Sequence, residues 1–247
     1  MTSSVPMLEF QSVTAGYGRS TVLRDLTFAV PSGQVVACLG ANGVGKTTML
    51  RVAAGLVRPR SGKLLAAGQD VTKTAPHYRA RRAGICLIPE GRGIFRSLTV
   101  AENLRIHQPP WIRRRDAVDA ALEAFPVLAD RRNQQAGSMS GGEQQMLALA
   151  RAWLASPKLV MVDEASMGLS PRVVDIVFSA LRSLAHSGTT LLIVEQYVNI
   201  VSEFADLILV LDKTGVRFYG KPAELNTEEL AQAYLGHRAG NGEPSSR

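Results

Sequence analysis

The stretch "GANGVGKTT", residues 40–48, has the form G-x-x-x-x-G-K-[ST]. It follows a continuous apolar run, "QVVACLG" at 34–40, and precedes "KTTMLRVAAGL" at 46–56, whose spacing is helical. A run unbroken by polar residues marks a strand buried on both faces. The motif is therefore read as a turn from a buried strand into a helix, the context in which it holds phosphates. Gly43 and Gly45 let the backbone close around phosphate oxygens with its N–H groups pointing inward. Lys46 is placed to reach the β and γ oxygens, and the Thr47 hydroxyl can take a Mg²⁺ position. Gly40, Asn42 and Thr48 belong to the same candidate nucleotide-binding set.

Outward from this loop the chain alternates strands and helices. "LEFQSV" and "LRDLTFAV", with Leu26, Phe28 and Val30 alternating, read as β and predict an antiparallel layer before the loop, with a Pro-Ser-Gly turn at 31–33. "KLLAAG" and "GICLI" return to strand. From about 97 to 156 apolar spacing near 3.6 predicts helix, broken at Pro109-Pro110, Pro126 and Gly137, as in a helical insertion. Strands resume at "KLVMVDE" and "TTLLIVE", with helices expected near 171–187 and 197–205, and "DLILVL" pairs with "GVRFYG" across an Asp-Lys-Thr-Gly turn. The Gly-, Ser- and charge-rich tail at 237–247 is expected to be disordered.

The 247 residues are 46% hydrophobic and 20% charged, enough for one large domain or two small ones. The apolar runs fall far short of the roughly 18 residues that span a bilayer, and "MTSSVPMLEF" lacks a basic segment followed by an apolar one. A cytoplasmic protein is expected, meeting a membrane only through a partner. Cys38 and Cys86 lie in apolar runs and are expected to be buried free thiols. The net charge of +7 is uneven: residues 79–132 hold eleven arginines, no lysine and six acids. Nucleic acid, anionic lipid or an acidic partner could use such a surface, and so could plain solvent. Arg113, Arg114 and Arg115 begin a helical pattern whose apolar positions, Val118, Ala121, Leu122 and Phe125, face the other way, which places the triplet in water.

Two further segments carry chemistry. "LVMVDE", 159–164, ends an apolar strand in two acids: Asp163 is suited to hold Mg²⁺ through water, and Glu164 to polarise an attacking water. "SMSGGEQQ", 138–145, opens a helix with Ser140 and Glu143 in capping-box spacing. Gly141 and Gly142 then fall in the first helical turn, where each is less favourable than alanine by up to about 1 kcal/mol.

"SGGEQQ" lying between the phosphate loop and the acid pair resembles the signature motif of ABC ATPases, the nucleotide-binding subunits of ABC transporters. The resemblance covers about residues 7–236. It implies a single α/β domain at 1–236: a P-loop NTPase core of mainly parallel strands (7–89 and 157–236), an antiparallel β layer, and an inserted helical subdomain at about 90–156. It further implies ATP and Mg²⁺ as cofactors and a head-to-tail pair of ATPase subunits. In such a pair Ser140, Gly141, Gly142 and Glu143 of one chain face the γ-phosphate held by the other, so bare glycine backbone would serve a neighbour's nucleotide.

Other positions carry over singly. Tyr17 in "AGYG" matches the aromatic that stacks on adenine. Glu90 in "IPEGRGIF" stands where glutamine is usual and remains an oxygen ligand for the metal. Gln196 in "IVEQY" replaces a histidine that contacts the γ-phosphate; an amide can donate that bond but cannot titrate. "EASMGLSP" puts Ala165 and Ser170 where proline and aspartate are usual. These departures, with "AYLG" at 233–236, are similar to the branch serving branched-chain amino-acid uptake, which also includes amide and urea importers. With Glu164 intact, hydrolysis is expected, in a heterodimer with a second ATPase subunit. Membrane permease subunits would dock near 90–105 at the inner face of the membrane. An extracytoplasmic solute-binding protein would be an indirect partner. A soluble ABC ATPase acting on nucleic acid has only the basic excess in its favour, and no nucleic-acid partner is expected.

Overall fold

The computed structural model of the chain describes residues 5–108 and 117–226. Its ten strands are β1 (Leu8–Tyr17), β2 (Ser20–Val30), β3 (Val35–Leu39), β4 (Ser61–Ala66), β5 (Gln69–Asp70), β6 (Ile85–Ile88), β7 (Leu159–Asp163), β8 (Thr190–Val194), β9 (Leu207–Asp212) and β10 (Gly215–Gly220). The helices are α1 (Lys46–Ala54), α2 (Pro76–Tyr78), α3 (Val100–His107), α4 (Ala117–Ala124), α5 (Gly141–Leu154), α6 (Pro171–His186) and α7 (Val198–Ser202). Arg113–Arg115, the Pro109-Pro110 break, "AYLG" and the 237–247 tail lie outside the described residues.

Two sheets form. One runs β10-β9-β3-β8-β7-β6 and is parallel except for β10, which turns back along β9; the other, β2-β1-β4-β5, is antiparallel. The mixed sheet is covered on both faces, which is why β3, β7 and β8 are buried at every position. Side chains alternate across it. Val36, Cys38, Met161, Leu192 and Val194 pack with α1 and the antiparallel sheet, where Phe10 and Phe28 stack with ring centroids 4.7 Å apart. Val160, Val162, Leu191 and Ile193 face the other way, into a cluster that continues through α6 and α5 to α3 and α4. That cluster crosses the expected 156/157 boundary unbroken, because α5 is buried on nearly all sides and Leu147, Leu149 and Leu154 all belong to it. Cys38 and Cys86 are free thiols; burial pushes Cys38 up to about 12 and Cys86 to about 11.

Strand order assembles the site. β3, β8, β7 and β6 lie side by side and parallel, so the loops leaving their C-terminal ends share one edge: residues 40–45, 195–196, 164 and 89–90 in turn. The opposite end of α1 is closed by a residue that the sequence pattern did not mark. Arg79, 1% exposed, donates from Nη1 to the carbonyls of Val52 (2.6 Å) and Ala53 (2.9 Å) in the last turn of α1. Its Nε and Nη2 reach Thr74 O (3.1 Å) and Thr72 O (3.2 Å). The negative end of the helix dipole compensates part of the cost of burying the cation, though burial still lowers the Arg79 pKa to about 10. Replacing Arg79 with Met should remove the Arg79 donor from the Ala53, Thr72 and Thr74 carbonyls, with Val52 O keeping the Gly55 N–H at 3.0 Å, and cost about 3 kcal/mol. Urea unfolding of the variant checks this, and a loss under 1 kcal/mol would show that water satisfies them.

Candidate active site

The phosphate loop has the shape that its sequence requires. Gly40, Gly43 and Gly45 have φ of 146°, 82° and 111°, and a Cβ on Gly45 would lie 2.7 Å from Leu23 Cδ2. A side chain at 45 is excluded both by backbone strain and by contact with β2. Lys46, 5% exposed, folds back so that Nζ donates to Gly40 O (2.6 Å) and Ala41 O (3.0 Å).

A cleft of about 350 Å³ opens over this loop. Asn42, Gly43, Gly45, Lys46, Thr47, Thr48, Glu90, Glu164 and Gln196, residues widely separated in sequence, line it together with Val22 and Met167. Gln196 links two of its walls: the amide donates to Asn42 Oδ1 (3.1 Å) on the phosphate loop and to Glu164 Oε1 (2.8 Å) after β7. Glu164 has a φ of 53°, a left-handed conformation that a glutamate adopts only under constraint. Its N–H is held by Val194 O at 3.0 Å.

Asp163 lies beneath, 4% exposed and close to the Thr47 side chain, with Oδ1 buried and without a hydrogen-bond partner among the described residues. Burial raises its pKa, and the charges of Glu164 and Glu90 add to the rise. Tyr17, the last residue of β1, is 44% exposed and reaches α1, its hydroxyl accepting from Arg51 Nη1 at 3.3 Å. Burial pushes its pKa up, but hydrogen bonds with Thr48 and Arg51 outweigh that and lower it. A larger cleft, about 610 Å³, lies at the N-terminal ends of β3, β7 and β8 and, among the described residues, has Lys158 as its one charged lining residue.

The signature residues stand apart from the cleft. Ser140 and Glu143 form the expected capping box: Glu143 N donates to Ser140 Oγ (3.3 Å), and Ser140 N to Glu143 Oε2 (2.9 Å). Glu143 also takes Arg131 Nε at 3.0 Å. Packing within the chain adds a second reason for the glycines. Gly142 is buried, and a Cβ there would lie 2.2 Å from Val173 Cγ1 on α6, so packing inside the chain already excludes a side chain. Gly141 is half-buried, and its Cβ would lie 3.2 Å from both Arg92 Nη2 and Leu169 Cδ2. The sequence could not show this, because 142 and 173 meet only through the crossing of α5 and α6.

Motif reading also missed the partners of these loops. Arg92, two residues beyond Glu90, donates from Nη1 to Gln144 Oε1 (2.9 Å) and from Nε to Gln145 Oε1 (3.3 Å), joining the Glu90 loop to α5. Glu195, 1% exposed, accepts hydrogen bonds from Ser166 and Gln196.

The sequence profile described as ABC transporter matches residues 23–167, from β2 through the loop after β7. The chain belongs to the ABC transporter family. It is an ATPase of that family. Among ABC proteins it is 37% identical over 235 residues to the high-affinity branched-chain amino acid transport ATP-binding protein BraG of Pseudomonas aeruginosa, covering 93% of this chain and 100% of the relative. It is also 34% identical over 230 residues to Nod factor export ATP-binding protein I of Cupriavidus pinatubonensis, covering 91% of this chain and 69% of that one. Its fold matches the crystal structure of a nucleotide-free ATP-binding cassette from an ABC transporter (TM-score 0.78, 23% identity, 92% and 94% coverage).

The packing constraint at Gly142 predicts a stability change. Gly142→Ala should destabilise the ABC domain by about 1–3 kcal/mol, with recovery in the Gly142→Ala/Val173→Ala double variant. A Gly142→Ala protein of unchanged stability would remove the packing explanation.

Proposed function

We propose that this chain is the energy-coupling ATPase subunit of an ABC importer for branched-chain amino acids. The observation that carries the catalytic part is the convergence of Lys46, Glu164 and Gln196 in one cleft over the phosphate loop. In this reading Lys46 leaves the Gly40 and Ala41 carbonyls for phosphate oxygens, Glu164 orients and polarises the attacking water, and Gln196 donates toward the γ-phosphate. The backbone of residues 40–48 cradles the phosphates and Tyr17 stacks on adenine.

The donor set fits Mg²⁺. Asp163 brings a buried, unpartnered carboxylate oxygen, with the Thr47 hydroxyl against it and Glu90 at the cleft wall. Among the described residues no three His, Cys, Asp or Glu side chains form a ready-made metal cluster. That suits an ion whose remaining ligands are phosphate oxygens and water. When bound, it would neutralise phosphate charge.

In the same reading Ser140, Gly141, Gly142 and Glu143, none of which lines the cleft, face a second subunit's nucleotide. One chain then supplies two half-sites, and a heterodimer partner supplies the other two. Among the described residues no helix is long and apolar enough to cross a membrane. In this reading separate permease subunits form the path through the membrane, with this chain peripheral on its cytoplasmic face. The import and cargo assignments draw on the likeness to BraG, together with Glu90, Gln196 and "GLSP". The exporter relative at 34% identity makes cargo the part to test directly.

Glu164→Gln should still bind ATP while turnover falls at least about 100-fold. Cells whose only copy carries this change should lose uptake of labelled leucine and keep uptake of labelled urea. Loss of urea uptake alone would move the assignment to the amide and urea importers, and normal uptake of both would contradict import.

A further inference from the structure

Glu195 is a buried carboxylate that forms no ion pair among the described residues. It lies directly after β8, and its backbone N–H is fixed to Cys38 O of β3 at 3.1 Å. Its side chain receives three neutral donors: Ser166 N to Oε1 (2.9 Å), Ser166 Oγ to Oε2 (2.6 Å) and Gln196 N to Oε2 (3.3 Å). None of the ion pairs among the described residues involves it. Burying a carboxylate on neutral donors alone is costly, and an apolar residue would pack there at lower cost. Stability therefore gives a poor reason for a glutamate at 195.

Its position gives a better one. Ser166 follows Glu164 by two residues, and Gln196 follows Glu195 directly, so the carboxylate ties together the two loops whose side chains meet at 2.8 Å in the cleft. Glu164 holds a left-handed φ of 53°, which persists only where neighbours over-determine it. Val194 O fixes the Glu164 N–H from one side, and the Ser166 clamp fixes the chain from the other. The clamped segment continues through Met167, which lines the cleft, to Leu169, which abuts Gly141. Glu195 itself lies outside the cleft lining.

We infer that Glu195 is a positioning residue for ATP hydrolysis: by clamping Ser166 and the Gln196 backbone it holds Glu164 and Gln196 in their reactive arrangement. The inference rests on the roles proposed above for those two residues. A misplacement of about 1 Å in such a group can cost 10²-fold in rate. Ground-state ATP binding, which depends on the phosphate loop, is not expected to change.

Steady-state ATPase rates, ATP affinity and melting temperature of Glu195→Ala, Glu195→Gln, Ser166→Ala and Glu164→Gln, each in the complete transporter complex, test it. Glu195→Ala should lower kcat about tenfold or more with ATP affinity within about twofold of wild type. Glu195→Gln, which keeps an acceptor for Ser166 N, should recover part of that loss. Ser166→Ala should lower kcat several-fold while the protein stays folded, with only a modest fall in melting temperature, and it decides the matter alone if Glu195→Ala does not fold. Unchanged kcat in both Ser166→Ala and Glu195→Ala, or a fall in ATP affinity that parallels the fall in kcat, would overturn the positioning role. If Glu164→Gln is slow while the clamp variants are not, only this inference fails; if Glu164→Gln is fully active, the site reading itself fails.

Discussion

An ammonium group buried on two backbone carbonyls is the constraint around which the site is arranged. Lys46 Nζ, held by Gly40 and Ala41, curls the phosphate loop around its own first helical residue. Backbone carbonyls are weaker partners for a buried cation than carboxylates or phosphates, because their partial charge compensates only part of the lost hydration. A phosphate group offers full anionic charge at the same place. The loop is thus preorganised, and its cation is under-neutralised until an anion arrives.

The surrounding elements sustain that state. The parallel order β3-β8-β7-β6 brings four loops to one edge, and each contributes a group that the loop needs: Gln196 after β8, Asp163 and Glu164 at β7, Glu90 after β6. Burial raises the Asp163 pKa, with Glu164 and Glu90 adding to it, so the edge carries unfavourable negative charge beside an under-neutralised positive one. The two need not cancel by direct pairing: a nucleotide with a divalent cation satisfies both. Arg92 on Gln144 and Gln145 then carries the position of the Glu90 loop to α5, whose N-terminus is the signature segment.

Local motifs with a backbone mechanism were legible in the sequence. The phosphate loop, the capping box at 140 and 143, the buried strands and the β9–β10 hairpin depend on neighbouring residues, and all are present as read. What depends on strand order or helix crossing was hidden. That β8 lies between β3 and β7 puts Gln196 against both Asn42 and Glu164, and no spacing encodes it. The packing of Gly142 against Val173 arises only where α5 meets α6, so the sequence could not show it. Arg79 passed as one of eleven arginines in a basic stretch, yet it is buried as the cap of α1. Glu195 was hidden for a related reason: beside the more conspicuous Gln196, a carboxylate at a strand end resembles an ordinary exit to solvent.

The most direct test of the central claim is the affinity of the chain for ATP with Mg²⁺, measured by titration calorimetry for wild type and for Lys46→Ala. If the under-neutralised ammonium organises the site, removing it should weaken binding by about 30-fold or more, an ion-pair loss of about 2 kcal/mol. The nucleotide-free melting temperature should stay within a few degrees. Equal affinity in the two proteins would show that the nucleotide is held elsewhere, and the assignment of the cleft over residues 40–48 would fall with it.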